Sequence, residues 1–505
     1  MKLNYKRTFF VGFAFFLICT FWQAYDTIIP KILTDKFGLS QTISGAIMAL
    51  DNILALFMLP LFGSLSDKCK SKKGKRTPFI LIGTVVACAV FICMSFADNA
   101  QLAKIESVAP TSAGAQSVLY EADLTIKATD TGKEIVIQDA FSAEEFAAIP
   151  MYDENGDINA DYTNYVVPAR QAFAQKTTKE NPSALIVFMA VLFLTLISMA
   201  TFRSPAVALM PDVTIKPLRS KANAIINLMG ALGGIIVLIL GMIFGTGKPG
   251  NALMSYTPFF AVVVAIILIS LIIFKFTVNE PKFAREMQEE SARLGIDEVS
   301  DEDAASGARK LSGKELASLF LILASVVLWF MGYNAVTSKY SIYASAVLGL
   351  DYNMTLTIAS AAAIVSYLPI GIISSKIGRK KTLMGGIILL GTAFFIASFM
   401  RSGSSMLVMN ILFTMAGVGW ATISVNSYPM VVELSRGGDV GKYTGFYYTA
   451  SMAAQTITPI FSGFFMDIKM TSLFIYATIF VFLAFFTMLF VKHGDSAPEK
   501  AEAEK

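Results

Sequence analysis

The chain has 505 residues, 55% of them hydrophobic and only 15% charged, with forty phenylalanines beside three tryptophans. A soluble protein of this size could not bury so much apolar surface, so the composition excludes a soluble fold and indicates a chain that crosses a bilayer many times. The net charge of +4 is not a nucleic-acid signal, because the cations lie in short loops between apolar runs, and no nucleic-acid partner is expected.

Apolar runs of bilayer-crossing length fall at about 8–30, 41–62, 78–97, 184–207, 222–245, 255–278, 316–337, 355–375, 382–400, 405–431, 443–466 and 472–491. The first follows Lys2, Lys6 and Arg7 like a signal peptide. It is too long for one, carries Asp26 and lacks a small-residue cleavage site, so it reads as a retained span. With the amino terminus inside, the loops after spans two, four, eight and ten hold fifteen Lys and Arg, against about six in the five short loops opposite. By the positive-inside rule both termini are expected in the cytoplasm of a multi-pass cell-membrane protein.

The loop after span two reads Gly63-Ser-Leu-Ser-Asp67-Lys-Cys69-Lys-Ser-Lys-Lys-Gly74-Lys75-Arg76-Thr-Pro78-Phe79-Ile80. Gly63 permits close helix approach, and Asp67 sets one carboxylate among six cations. Such a network can form in one state and break in another, so Gly63, Asp67, Gly74, Lys75 and Arg76 are expected to form a gate. The start of span eleven, Gly441-Lys-Tyr443-Thr-Gly445, offers a helix N-terminus that could receive Asp67.

Residues 98–182 interrupt the spans on the expected outer side and hold fourteen Asp and Glu against six Lys and Arg. Leu124-Thr-Ile-Lys-Ala and Glu134-Ile-Val-Ile-Gln alternate around Asp130-Thr-Gly132-Lys133, predicting a hairpin, and Phe141 to Ile149 predicts a short helix. A small subdomain that folds as a separate unit is expected here. Residues 279–315 follow span six and are partly helical by the spacing of Phe283, Met287 and Leu294. The loop Ser375-Lys-Ile-Gly378-Arg379-Lys-Lys381 after span eight echoes the basic loop after span two, which suggests two related halves. The expected domains are therefore helices 1–3 (1–97), the insertion (98–182), helices 4–6 (183–278), the central loop (279–315), helices 7–12 (316–492) and a tail (493–505).

An ionisable residue inside a span is costly and is a functional candidate by default. Asp51 sits mid-span with no cation within a helical turn in sequence. Its partner must come from another helix or be a bound cation, and coupling to a proton or cation is expected, with an interhelix hydrogen bond as the plain alternative. Trp22, Tyr25, Asp26 and Ile29 are expected on one helical face. A ring beside a hydrogen-bonding acid is how proteins hold sugars, so Trp22, Tyr25 and Asp26 are candidate substrate contacts, and Asp26 is a second coupling candidate. Arg203 is expected either to partner a membrane carboxylate or the sugar, or to pair with Asp67 at the gate.

Several patterns carry nothing further. Asp153-Glu-Asn155-Gly156-Asp157 does not fit an EF-hand loop. Gly230-Ala-Leu-Gly233-Gly234 lacks the Lys of a nucleotide loop and lies in a span, where packing is its natural use. Cys19, Cys69, Cys88 and Cys93 are absent from the insertion, so no structural disulfide is expected. His493 is the only histidine, which excludes a histidine relay and argues against a His-ligated metal. No Walker motif occurs, so ATP-driven transport is not expected.

The phrase at 63–80 resembles the loop between the second and third helices of major-facilitator transporters, and is most similar to the sucrose-transporter-like branch of the glycoside–pentoside–hexuronide:cation symporters. Trp329-Phe-Met-Gly332-Tyr333-Asn334 with Lys339 resembles their seventh helix, and Gly417-Val-Gly419-Trp420-Ala-Thr422-Ile-Ser424-Val-Asn426-Ser-Tyr428-Pro429 resembles their tenth. The resemblance implies an all-α membrane protein with the twelve-helix major-facilitator fold. Asn334, Asn426 and Gln455 are then candidate sugar partners, with helix–helix hydrogen bonding as the alternative for each. Plant sucrose transporters carry an arginine where this chain has Val207, and Arg203 lies one turn earlier on the same face. Melibiose-transporter relatives carry two acids where this chain has Ala55 and Leu59, which argues against a sodium site of their type. The implied activity is uptake of a disaccharide or related glucoside coupled to a proton, or alternatively to sodium. No cofactor or covalent chemistry is needed; the expected partners are a small sugar and the bilayer, with the chain acting as a monomer. The rival readings are a carrier of another solute, such as a drug, polyol or amino acid, and a nontransporting sugar receptor.

Overall fold

The computed structural model describes residues 3–154, 156–215, 218–293, 312–434 and 440–495. Twelve long helices dominate them. The first half contains Phe13–Lys31, Gln41–Asp67, Thr77–Ile105, Ser183–Asp212, Arg219–Phe244 and Thr257–Thr277. The second contains Gly313–Tyr343, Tyr352–Ile377, Arg379–Ala397, Met406–Val432, Val440–Ile468 and Leu473–Leu489. Among the described residues, ten helices are both long and apolar enough to cross a membrane. The eighth and eleventh, of 26 and 29 residues, have the length and pack against the fifth and second spans.

Each half buries its own core. Phe21, Phe91 and Phe260 pack together in the first, and Tyr340, Phe413 and Phe474 in the second. The glycines of the tenth span serve this packing. A side chain on Gly417 would collide with the Ala359 backbone of the eighth span, and one on Gly419 would press on Gly386 of the ninth. Small residues let membrane helices approach this closely. Gly233 of the fifth span does the same against Phe16 and Thr20 of the first.

The halves repeat a turn that the sequence reading missed. The first span ends in a wide π-helical turn, Ile32–Lys36, and the seventh ends in another, Ala344–Leu348. Gly38 (φ 63°) and Gly349 (φ 67°) follow in left-handed backbone, a conformation that favours glycine. The next residues, Leu39 and Leu350, each donate to a carbonyl six residues back, Leu33 and Ala344, at 2.9 Å. Ser40 and Asp351 then cap the next span, accepting from the backbone N–H of Ile43 and Asn353. The sequence signal is Phe37-Gly-Leu-Ser40 against Leu348-Gly-Leu-Asp351.

The third span continues past its expected end at 97 to Ile105, so the first residues of the expected insertion extend that helix. Beyond it, Thr125–Lys127 and Glu134–Val136 form the hairpin, with Ile126 opposite Ile135 and Gly132 at φ 70° in the turn. The short helix spans Ala143–Ala147 and starts with a capping box in which Ser142 and Glu145 satisfy each other's backbone N–H. These bonds hold the exposed Glu145 carboxyl below its usual range. The backbone N–H of Asp157 donates to Asp153 at 3.0 Å, closing a surface turn; Asn155 lies outside the described residues. The insertion's apolar core is not self-contained. Leu119, Ile126, Phe146 and Val166 share it with Leu253 of the first half and Ala346 of the second. The expectation of a separate folding unit is revised accordingly: the insertion's four α-helices and hairpin complete their core on both halves.

The central loop contributes the helix Glu280–Arg293, with Met287 buried against Ile215 and Leu218. Leu294 and the rest of 294–311 lie outside the described residues.

Candidate functional site

A cavity of about 180 Å³ lies between the two halves. The first half lines it with Trp22, Asp26, Met48, Asp51, Asn52 and Arg203, and the second with Asn334, Thr337, Ser338, Gln455 and Pro459. One wall is charged and the other neutral and hydrogen-bonding. Trp22 and Asp26, four apart on the first span, stack on one helical face. The Arg203 guanidinium lies 5.1 Å from the Trp22 ring centre, within cation–π range. Arg203 lines the same cavity as Asp26 and Asp51, so it faces the cavity and not the gate. The indole N–H of Trp22 and the amide nitrogen of Asn334 have no hydrogen-bond partner among the described residues.

Two candidates stand outside this group. Tyr25 is fully buried in the first half, packed on Phe21 and edge-on to Trp22. Three residues along a helix turn a side chain about 60° off the face, which carries Tyr25 into the core; Ile29 is also fully buried. Asn426 is also buried. Its oxygen accepts from Ser374 of the eighth span, and its nitrogen donates to the Thr422 carbonyl at 2.8 Å. Helix–helix hydrogen bonding therefore takes up the amide. Trp329 is fully buried, and Tyr333 stacks face to face on Trp420 at 3.6 Å.

On the insertion face the halves are latched together. Asp467, at the end of the eleventh span, accepts from the backbone N–H of Gln41 at 2.6 Å and of Thr42 at 2.8 Å, and from the Thr42 hydroxyl. These are free donors of the second span's first turn, where a carboxylate is stabilised by the helix dipole. Buried Lys339 donates to the Gln41 carbonyl at 2.7 Å, and buried Lys31 donates to Ser345 at 2.9 Å. A side chain on Gly45 would strike the Pro459 backbone. Beneath the insertion, Lys36 and Asp98 form a fully buried pair at 2.7 Å. Sequence reasoning named Lys339 only through the seventh-helix resemblance and missed Asp467, Lys31, Lys36 and Asp98, because charges at span ends look like interfacial loop residues.

At the opposite, basic-loop face, Arg76 bridges Asp67 and Asp212, the latter at 2.7 Å, and donates to Ser66 and to the Gly63 carbonyl. Burial works against the Arg76 charge, but its bonds and charge contacts with Asp212 and Asp67 outweigh it and raise its pKa. Glu280, which the sequence reading did not single out, caps the third span. It accepts from the backbone N–H of Lys75 (2.7 Å), Arg76 (3.0 Å) and Thr77 (2.8 Å), and from the Thr77 hydroxyl (2.7 Å). Gly74, at φ 107°, has no room for a side chain beside Glu280. Asp67 is thus bound within its own half; the side chains of Gly441, Lys442, Thr444 and Gly445 lie outside the described residues. A second cavity, of about 230 Å³, lies on this face beside Arg7. Arg7 is already held by Glu286 (3.1 Å) and by the Val213 and Phe283 carbonyls (2.6 Å each).

Two six-helix halves around one central cavity define a multi-pass membrane transporter and not an enzyme. The chain matches the Major Facilitator Superfamily over residues 172–366 and 351–505, and belongs to it. Residues 10–112 match the MFS/sugar transport protein family. A putative glycoside/cation symporter, YagG of Escherichia coli strain K12, is 34% identical over 64 residues, which is 13% of this chain and 14% of that protein. Among solved structures, the inward-open xylose transporter XylE of E. coli is 13% identical with a TM-score of 0.54, covering 96% of each chain. A bacterial homologue of the iron transporter ferroportin is 12% identical with a TM-score of 0.58, covering 97% of this chain and 99% of that one. Likeness at such identity shows the fold alone.

Proposed function

We propose that this chain is a secondary active symporter that takes up a disaccharide or related glucoside with a proton, by alternating access. The asymmetric central cavity carries the reading. Asp51, facing Arg203, is the proton or cation site, and Asp26 is the second candidate. Trp22, Asp26 and Arg203 on one wall and Asn334 and Gln455 on the other contact the sugar. An aromatic face suits sugar C–H groups, and acids and amides suit hydroxyls. The match to the sugar-transport family and the similarity to a putative glycoside/cation symporter support this substrate class.

The test is radiolabelled glucoside uptake into membrane vesicles under imposed proton and sodium gradients. Stimulation by an inward proton gradient is expected. Sugar binding without flux would indicate a receptor instead, and flux indifferent to both gradients would remove the coupling.

We also infer that the basic-loop face is cytoplasmic, as are both termini, so the latched insertion face is external and the described conformation faces inward. A cysteine introduced at exposed Lys133 should react with an impermeant maleimide added to intact cells, and Cys69 should not. Labelling of Cys69 from outside would invert the orientation.

A further inference from the structure

The insertion touches both halves at equivalent places. On the first half, the helix Val167–Glu180 lies so close over the Gly38 turn that a side chain there would collide with the Gln171 and Gln175 backbone. On the second half, the Ile158 side chain fills the space beside Gly349, the counterpart of Gly38. The hydroxyl of Ser402 donates to the Ile158 carbonyl at 2.6 Å. Lys127 reaches the Asp467 carbonyl at 3.3 Å, and Gly132 abuts Ile468 at the end of the eleventh span. Asp467 is the same residue that latches the second span.

The two attachments differ in strength. The insertion is continuous with the third and fourth spans and is tied to the first half from below. Gln101 of the third span bonds to Thr178 and to the Lys36 carbonyl at 3.0 Å each, and Gln171 bonds to Asp35 at 3.0 Å. Its hold on the second half is the Ile158 knob, the Ala346 and Met470 edge of the shared core, and a few hydrogen bonds, with no covalent continuity. The weaker side is the one that separates when two rigid bodies rock apart.

We propose that residues 106–182 are a strap, anchored on the first half and plugged by Ile158 into the Gly349 turn of the second, that holds the external side shut. Opening outward requires Ile158 to leave that seat. The strap rests on the orientation inferred above and not on any choice of substrate.

The test reads external access to the cavity in the full chain, without sugar. A cysteine at Thr337, on the cavity wall, is labelled in intact cells with an impermeant maleimide, and the rate is taken above that of the parent chain. Ile158→Asp removes the knob. Ser402→Trp forces the seat open from the other side and leaves the insertion's own core unchanged. A several-fold faster rate in either variant is expected. Rates unchanged in both would overturn the strap.

Discussion

Asp51→Asn is expected to abolish accumulation of sugar and leave exchange intact. The asparagine copies the shape of the protonated acid and cannot release a proton. Under the proposed mechanism the loaded carrier still crosses, so preloaded vesicles should exchange labelled sugar at a rate near wild type. The empty carrier cannot reset, so no gradient builds. A membrane potential of 100 mV supplies about 2.3 kcal/mol per charge, enough for roughly fifty-fold accumulation. The variant should lose all of it, and uptake should lose its dependence on external pH. Wild-type accumulation at matched expression would exclude Asp51 and move the coupling role to Asp26, which faces the same cavity.

Glu280→Ala should be the most damaging change on the basic-loop face. The carboxylate is 4% exposed and receives three consecutive backbone N–H groups and the Thr77 hydroxyl. Removing it leaves those four donors unpaired at the dipole of the third span, a loss of about 4 kcal/mol at about 1 kcal/mol per bond. The Gly74 turn and Arg76 lose their anchor together. Purified protein should unfold at a temperature lower by about 5 °C or more, and net transport should fall more than binding. Glu280→Gln, which keeps an acceptor, should recover part of the thermal stability. An alanine variant with unchanged melting and transport would mean that Glu280 holds nothing.

The spans and the basic loop were legible because they rest on local signals, apolar length and charge sign. Trp22, Asp26, Asp51, Arg203, Asn334 and Gln455 could be chosen for a related reason, since polar groups inside apolar helices have few bland explanations. The structure brings all six to one cavity. The failures are equally physical. Tyr25 was misplaced because a three-residue step is not a full turn. For Asn426 the sequence left two readings open, and the hydrogen bonds follow the helix-packing one, because a polar residue in a span satisfies itself on its neighbours as readily as on a ligand. Glu280, Asp212 and Asp467 escaped notice because each sits where a span ends, amid charges that only set topology. Their partners lie 203 to 205, 136 and 425 to 426 residues away in the chain, beyond any local pattern.

The division of the cavity into a charged wall and a neutral wall bears on leakage. Asp26, Asp51 and Arg203 all ride on the first half, so protonation changes charge within one rigid body and exerts no direct pull on the other. A proton alone then gives the halves no reason to close around it. A solute with hydroxyls on several sides, as proposed, can reach Asp51 and Trp22 while also engaging Asn334 and Gln455. Under the proposed mechanism the sugar would bridge the halves and the ion would set the charge, which would keep an unaccompanied proton from crossing. Proton flux in sugar-free vesicles should therefore match that of vesicles lacking the carrier, and a carrier-dependent leak would show that the ion can close the molecule by itself.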